Sequence, residues 1–130
     1  MKLNPDCIRD ILLQTEQGRF FIFRPIDPSE SNDTNLKKLF FLSNYSYDEI
    51  LYHLNQCYKM NYIVVDNRDL DHISINDLEP LGHSFLANIR ENNNWSKTKE
   101  IANKIGSLSL ETLQQIASNL ITALISDKFK

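Results

Sequence analysis

The sequence predicts an α+β fold, mainly α, and three observations carry that reading. Between Tyr45 and Arg90, helix-period and strand-period patterning alternate in the order helix, strand, polar tip, strand, helix. Pro, Gly and Asn stand at the edges of these runs, where they end or open elements. A chain of 130 residues, 42% of them hydrophobic, can bury a core without disulfides or metal. Together these describe a winged helix-turn-helix-like core with a small antiparallel sheet and a C-terminal helical extension. Residues 1–91 form the winged-helix-like domain in this reading, and residues 92–130 a helical segment for packing or oligomerisation.

Taken in order, Asn4 and Pro5 open the first helix, since Asn caps well and Pro suits the first helical position. Ile8, Ile11, Leu12 and Thr15 share its apolar face, and Gly18 ends it. Arg19 to Ile26 reads as a short aromatic strand bounded by Pro25 and Pro28. Residues 28–35 read as a polar loop, and Leu36 to Leu42 as a strand, one helical turn or an irregular link, where a full second helix is hard to place. Ser46 and Glu49 make a capping box ahead of Ile50, Leu54, Cys57 and Tyr58, which recur at helical spacing. Asn61 falls where that helix must stop and tolerates the left-handed conformation. Tyr62 to Val65 is then a strand, Asp66 to Asp71 a polar tip, and His72 to Leu78 the returning strand, with Ile73 and Ile75 on one face and Ser74 and Asn76 on the other. Pro80 opens a helix striped by Leu81, Phe85, Leu86 and Ile89. Asn92 to Asn94 interrupts the pattern, Trp95 to Ile105 resumes it up to Gly106, and Ser109 to Ile125 is the last helix.

Charge argues against a general nucleic-acid binder. The chain has 14 Lys and Arg against 17 Asp and Glu. The imbalance sits in residues 1–91, with 9 basic against 14 acidic; residues 92–130 carry 5 against 3. No secretory pattern or membrane-length apolar run is present, which points to a cytoplasmic protein with no membrane partner. Cys7 and Cys57 lie within apolar helical patterns and read as buried reduced thiols.

Four blocks carry a family resemblance: MKLNPDCIRDIL, YSYDEILYHL, LEPLGHSFLANIR and WSKTKEIANKIGSLSL. They resemble a family of small proteins of Gram-positive bacteria and bacteriophages known as domain of unknown function 2513. The resemblance implies a winged-helix-like protein of phage or mobile-element type and no assigned activity. The LEPLGHSFL block is also similar to the segment after the wing in multiple-antibiotic-resistance-type regulators. There a threonine stands at the position of Glu79, and these families usually place glycine at that of Asn61.

The helix at Tyr47–Met60 occupies the recognition-helix position. Tyr47, Asp48, Tyr52, His53, Gln56 and Lys59 are its candidate partner-binding residues, joined by Arg68 at the wing tip. Asp48 and Glu49 at the leading end would repel phosphate, and Asp66, Asp69 and Asp71 surround Arg68. The plainer alternative is a core helix with a solvated polar side and a polar hairpin turn. His53 and Cys57, spaced i, i+4, share a helical face, yet no second pair completes a metal site, so neither metal nor cofactor is expected. No phosphate loop, nucleophile elbow or HExxH occurs, and the expectation is a protein that is not an enzyme.

The last helix carries Leu110, Leu113, Ala117, Leu120 and Leu124 at heptad-type spacing, widened by Ile116, Ile121 and Ile125. Such a stripe must pack on the chain's own core, on a second copy as a homodimer, or on another protein. The functional expectation is a non-catalytic protein-interaction or regulatory module. The alternative is a dimeric winged-helix DNA-binding transcriptional regulator.

Overall fold

The computed structural model describes residues 1–24, 36, 38–69 and 71–129. The polar loop expected at 28–35 and the last residues of the strand expected to reach Ile26 lie outside the described residues. The protein is α+β and mainly helical. Its elements are α1 (Pro5–Gln17), β1 (Phe20–Phe23), α2 (Tyr47–Lys59), β2 (Ile63–Arg68), β3 (His72–Leu78), α3 (Pro80–Ile89), α4 (Asn92–Ile105) and α5 (Leu110–Lys128). They fall into two compact units, Met1–His83 and Ser84–Lys130. No helix among the described residues is long and apolar enough to cross a membrane.

In the first unit the sheet has the order β1-β3-β2, antiparallel throughout. The register pairs Phe20 with Ile75 and Ile22 with Ile73, and all four of these side chains are buried. Helix α1 packs on both α2 and β3. Ile8, Ile11 and Leu12 of α1 and Ile50, Leu54 and Cys57 of α2 are buried with them, as their spacing requires. Covering one such aliphatic side chain stabilises the fold by about 1.5–3 kcal/mol. The caps match their sequence signals. Asn4 accepts from the Asp6 N–H at 3.0 Å, and Ser46 and Glu49 form a reciprocal capping box. Asn61 takes a left-handed φ of 59°.

Element boundaries differ from expectation in places. Strand β2 runs on to Arg68, with Asn67 opposite Ser74 and Arg68 opposite Ile73. Ladder pairing with β3, reached through bulges near Val65, carries the strand into residues whose polar composition reads as a turn. Of the alternatives for Leu36 to Leu42, the irregular link is the one found: residues 38–45 are a run of turns. The Leu39, Leu42 and Tyr45 N–H groups each donate to the carbonyl three residues back, at 3.0–3.2 Å, and Leu36 and Leu42 anchor these turns in the core. Helix α4 starts at Asn92 rather than Trp95, because Asn94 and Thr98 are buried on the same side as Trp95 and Thr98 Oγ1 donates to the Asn94 carbonyl at 2.7 Å.

The start of α3 explains a glycine. The Glu79 N–H donates to the Tyr62 carbonyl at 2.8 Å, which draws the first helical turn onto that backbone. A Cβ at Gly82 would lie 2.0 Å from the same oxygen, so no larger residue fits without backbone movement.

In the second unit Phe85, Leu86 and Ile89 are buried, and α4 packs against α5. Gly106 closes α4 in the left-handed conformation, and Ser109 caps α5. Leu110, Leu113, Ile116 and Ala117 are buried, while Leu124 and Ile125 further along the same helix are exposed.

Candidate functional site

The capping box at Ser46 sets the direction of α2 and places its first turns beside the β2–β3 hairpin. Tyr47, Asp48 and Leu51 then line a cavity of about 340 Å³ with Arg24, Arg68, Asp69 and Ile73. Three of the residues singled out from sequence, Tyr47, Asp48 and Arg68, therefore meet at one place. The Arg68 guanidinium does not reach out from a hairpin tip. Its Nη2 donates to Asn55 Oδ1 on α2. Beside it, Asp69 Oδ1 accepts from the Asp71 and His72 N–H groups, both at 2.9 Å. The Asp69 carboxylate also lies 3.2 Å from His72 Nδ1. These backbone hydrogen bonds, His72 first, hold the Asp69 carboxyl below its usual pKa of 3.8. The cavity thus presents two guanidinium groups and two carboxylates around an aromatic and aliphatic floor.

The other expected residues lie elsewhere. Lys59 lines a separate cavity of about 470 Å³ with Tyr58, Asn61, Ile63 and Glu79. Tyr52 and Gln56 are only partly exposed, and the Tyr52 ring stands edge-on to His53 at 4.9 Å. His53 corrects the sequence reading outright: it is 1% exposed and cannot present itself to a partner. The Asn4 N–H donates to its Nε2 at 2.8 Å, which leaves the proton on Nδ1, 2.6 Å from the Glu49 carbonyl. His53 therefore ties the start of α1 to α2. Leu120, among the expected oligomerisation residues, is half-buried and Leu124 exposed, whereas Leu110, Leu113 and Ala117 are buried.

The outer face of the sheet is a second surface, which the sequence reading did not single out. Phe21 and Phe23, about 40% exposed, alternate with buried Phe20 and Ile22. Their rings stack at 6.1 Å between centroids, and Phe23 stacks on His72 at 6.0 Å. At the other end the Arg19 guanidinium lies 5.3 Å from the centre of Phe21. Arg19 is itself held by Ser74 Oγ at 3.1 Å and by Asp66 at 3.4 Å. The signal was present in FFIF: aromatic residues fill the outward positions that polar residues usually occupy on a half-covered sheet.

The buried titratable groups have structural roles. Burial pushes the Cys7 thiol up to about 12, helped by Glu49 and Asp10, and burial also raises Cys57, with Cys7 adding to it. Thiols in such surroundings are poor nucleophiles at neutral pH. The Tyr45 hydroxyl, raised by burial and by its hydrogen bond, donates to Asp10 Oδ2 at 2.6 Å. Among the described residues, no group of three or more His, Cys, Asp and Glu side chains comes together as metal ligands.

Against known proteins, residues 2–109 match a family described as "Hypothetical protein (DUF2513)". No curated protein and no solved structure matches the chain.

Proposed function

The chain belongs to the DUF2513 family, and we propose that it is a non-catalytic winged-helix protein of phage or mobile-element type that acts as a protein-interaction or regulatory module. The element order α1–β1–α2–β2–β3 supports the winged-helix part, with α2 in the recognition-helix position and the β2–β3 hairpin as the wing. The observation that carries the interaction part is the charge balance of the cavity between them. Arg24 and Arg68 are matched there by Asp48 and Asp69, and Arg68 is already hydrogen-bonded to Asn55. Affinity for duplex DNA rests on cations that neutralise phosphates. In residues 1–83, 8 Lys and Arg stand against 13 Asp and Glu, so little of that attraction is on offer. A polypeptide brings both signs of charge and suits a mixed face with Tyr47 and Leu51 at its floor. No metal, cofactor or membrane enters this reading.

The second reading, a dimeric DNA-binding regulator, draws on exposed Arg24 and Arg68 at the hairpin end. One experiment separates the two. The full chain and a Tyr47→Ala/Asp48→Lys variant are used as baits in a host lysate with and without nuclease, beside a duplex titration at low salt. Nuclease-resistant capture of a protein partner, lost in the variant, supports the interaction module. Duplex binding that falls steeply with salt, with no such partner, replaces it with the regulator.

A further inference from the structure

The two edges of the sheet are built differently. The order β1-β3-β2 leaves β1 and β2 as its outer strands. On β2 the register to β3 shifts twice, between Val64 and Val65 and again between Val65 and Asn67. Such bulges twist an edge away from further pairing. The register of β1 is even, from Phe20 opposite Ile75 to Phe23 opposite His72. Its hydrogen-bond phase is fixed as well. The Arg24 N–H donates to the Asp71 carbonyl at 2.8 Å, one step beyond the Phe23–His72 pair. Hydrogen-bonded and non-bonded pairs alternate along an antiparallel ladder. Phe20 and Ile22 therefore turn their N–H and C=O groups to β3, and Phe21 and Phe23 turn theirs to the open edge. Among the described residues nothing pairs with those four groups. Exposed cations stand at both ends of the strand, Arg19 before it and Arg24 after it. Arg19 is held by Asp66, whereas no ion pair reaches Arg24 among the described residues. Asp69, which shares a cavity with Arg24, is held by its own turn.

We propose that the open edge of β1 receives an extended acidic segment of a partner protein, which joins the sheet as a fourth strand. Backbone chemistry selects a polypeptide. The outward N–H and C=O groups of Phe21 and Phe23 recur two residues apart, about 6.8 Å along a strand, and another strand carries the matching groups at the same spacing. Every second side chain of the added strand then lies beside exposed Phe21 and Phe23 on the outer face. Single-stranded nucleic acid would stack on those rings but leave the backbone groups unmet. Charge selects an acidic segment and argues against a second copy. Two β1 strands paired antiparallel through Phe21 and Phe23 would set Arg19 of each chain near Arg24 of the other, and paired parallel they would set Arg24 beside Arg24. The strand FFIF brings no carboxylate to offset them. A partner carboxylate opposite Arg24 meets the cation that this chain leaves without an ion pair. The edge is a different surface from the Tyr47–Asp48 cavity, so the inference does not rest on the α2 face.

The test is an NMR titration of the full chain with the peptide acetyl-Glu-Val-Thr-Val-Thr-Val-Glu-amide, whose sequence reads the same in both directions and so allows either orientation. The Phe21 and Phe23 amides should shift, and their hydrogen exchange should slow by at least about tenfold. The same peptide with Lys for both Glu should bind at least about tenfold more weakly. Two further probes are N-methylated on the valines or on the threonines. One should lose binding and the other keep it, because a strand turns only every second N–H to its neighbour. On the protein side, Phe23→Pro removes an outward N–H and should abolish binding, whereas Phe23→Val removes the ring, keeps the N–H and should hold affinity within about threefold. Unchanged Ile73 and Ile75 amides report that the ladder to β1 survives in both variants. No shift at Phe21 and Phe23 with millimolar peptide overturns the proposal, as does equal binding of the acidic and basic peptides or of the two N-methylated probes. Amides of Phe21 and Phe23 that already exchange slowly in the free chain overturn it too, whether residues 25–35 or a second copy covers the edge. So does oligothymidine that shifts the two rings and displaces the peptide.

Discussion

The two compact units close their apolar surfaces differently. In Met1–His83 two helices and a sheet share one core, and the inward faces of α1, α2, β1 and β3 are all covered. What that unit leaves open is largely aromatic and already engaged: Phe21 between Arg19 and Phe23, Phe23 against His72, Phe40 edge-on to Phe41. In Ser84–Lys130 the exposed large groups on α4 and α5 are aliphatic, Ile105 on α4 and Leu124 and Ile125 on α5, and Leu124 continues the stripe that is buried at the start of α5. A pair of packed helices covers one stripe on each, and a stripe of two adjoining columns such as that of α5 exceeds it. Layered elements close a core, whereas a helix pair leaves a remainder for something else to cover.

The sharpest way to break this contrast is at Gly82, where α3 meets the backbone of Tyr62. Gly82→Ala drives a methyl into the Tyr62 carbonyl, and a loss of about 4 kcal/mol or outright failure to fold is expected in denaturant titration. A loss under about 1 kcal/mol would mean that α3 does not start against that backbone. The second unit is probed along α5. Leu113→Ala should cost about 3 kcal/mol, whereas Leu124→Ala should cost under about 0.5 kcal/mol. Equal costs would erase the distinction between the two halves of the helix. Next, His53→Ala removes the acceptor for the Asn4 N–H and should cost about 2 kcal/mol, with amide exchange rising first at the start of α1. Unchanged exchange there would dispose of the staple. The smallest effect is at Asp69. Its folded pKa is lowered, so its support for the hairpin is complete above the ordinary value of 3.8 and fades as pH falls through the lower folded value. Carboxyl NMR should place the midpoint below 3.8 in the folded chain, and Asp69→Asn should remove that acid step from the hairpin signals. A midpoint at or above 3.8 would show that the turn does not hold the carboxylate.

Local chemistry was legible. Asn4 before Pro5, the Ser46–Glu49 box, Asn61, the Ile73 and Ile75 alternation and Gly106 each specify their structure through neighbours within four residues, and each appears where the pattern placed it. The candidate site was half legible. Tyr47, Asp48 and Arg68 converge, but the tie of Arg68 to α2 depends on Asn55, 13 residues earlier in the chain. His53 shares a helical side with the core residue Cys57, which hinted at burial. What makes that burial tolerable is the backbone of Asn4, 49 residues away, and no window of sequence contains both. The length of β2 was hidden likewise, because Asn67 and Arg68 are extended only through their partners on β3.

By itself, then, the sequence determined the α+β composition, the order of the elements, their caps and the side of each helix that seeks cover, since periodicity and capping act within a few residues of the chain. Only the tertiary structure decided that His53 is a buried staple, that Phe21 and Phe23 are presented with His72 and Arg19 on one open face, and that the stripe of α5 is covered along half its length. Burial is a property of what lies opposite a side chain, and in each of these cases the partner, or its absence, comes from a distant part of the chain.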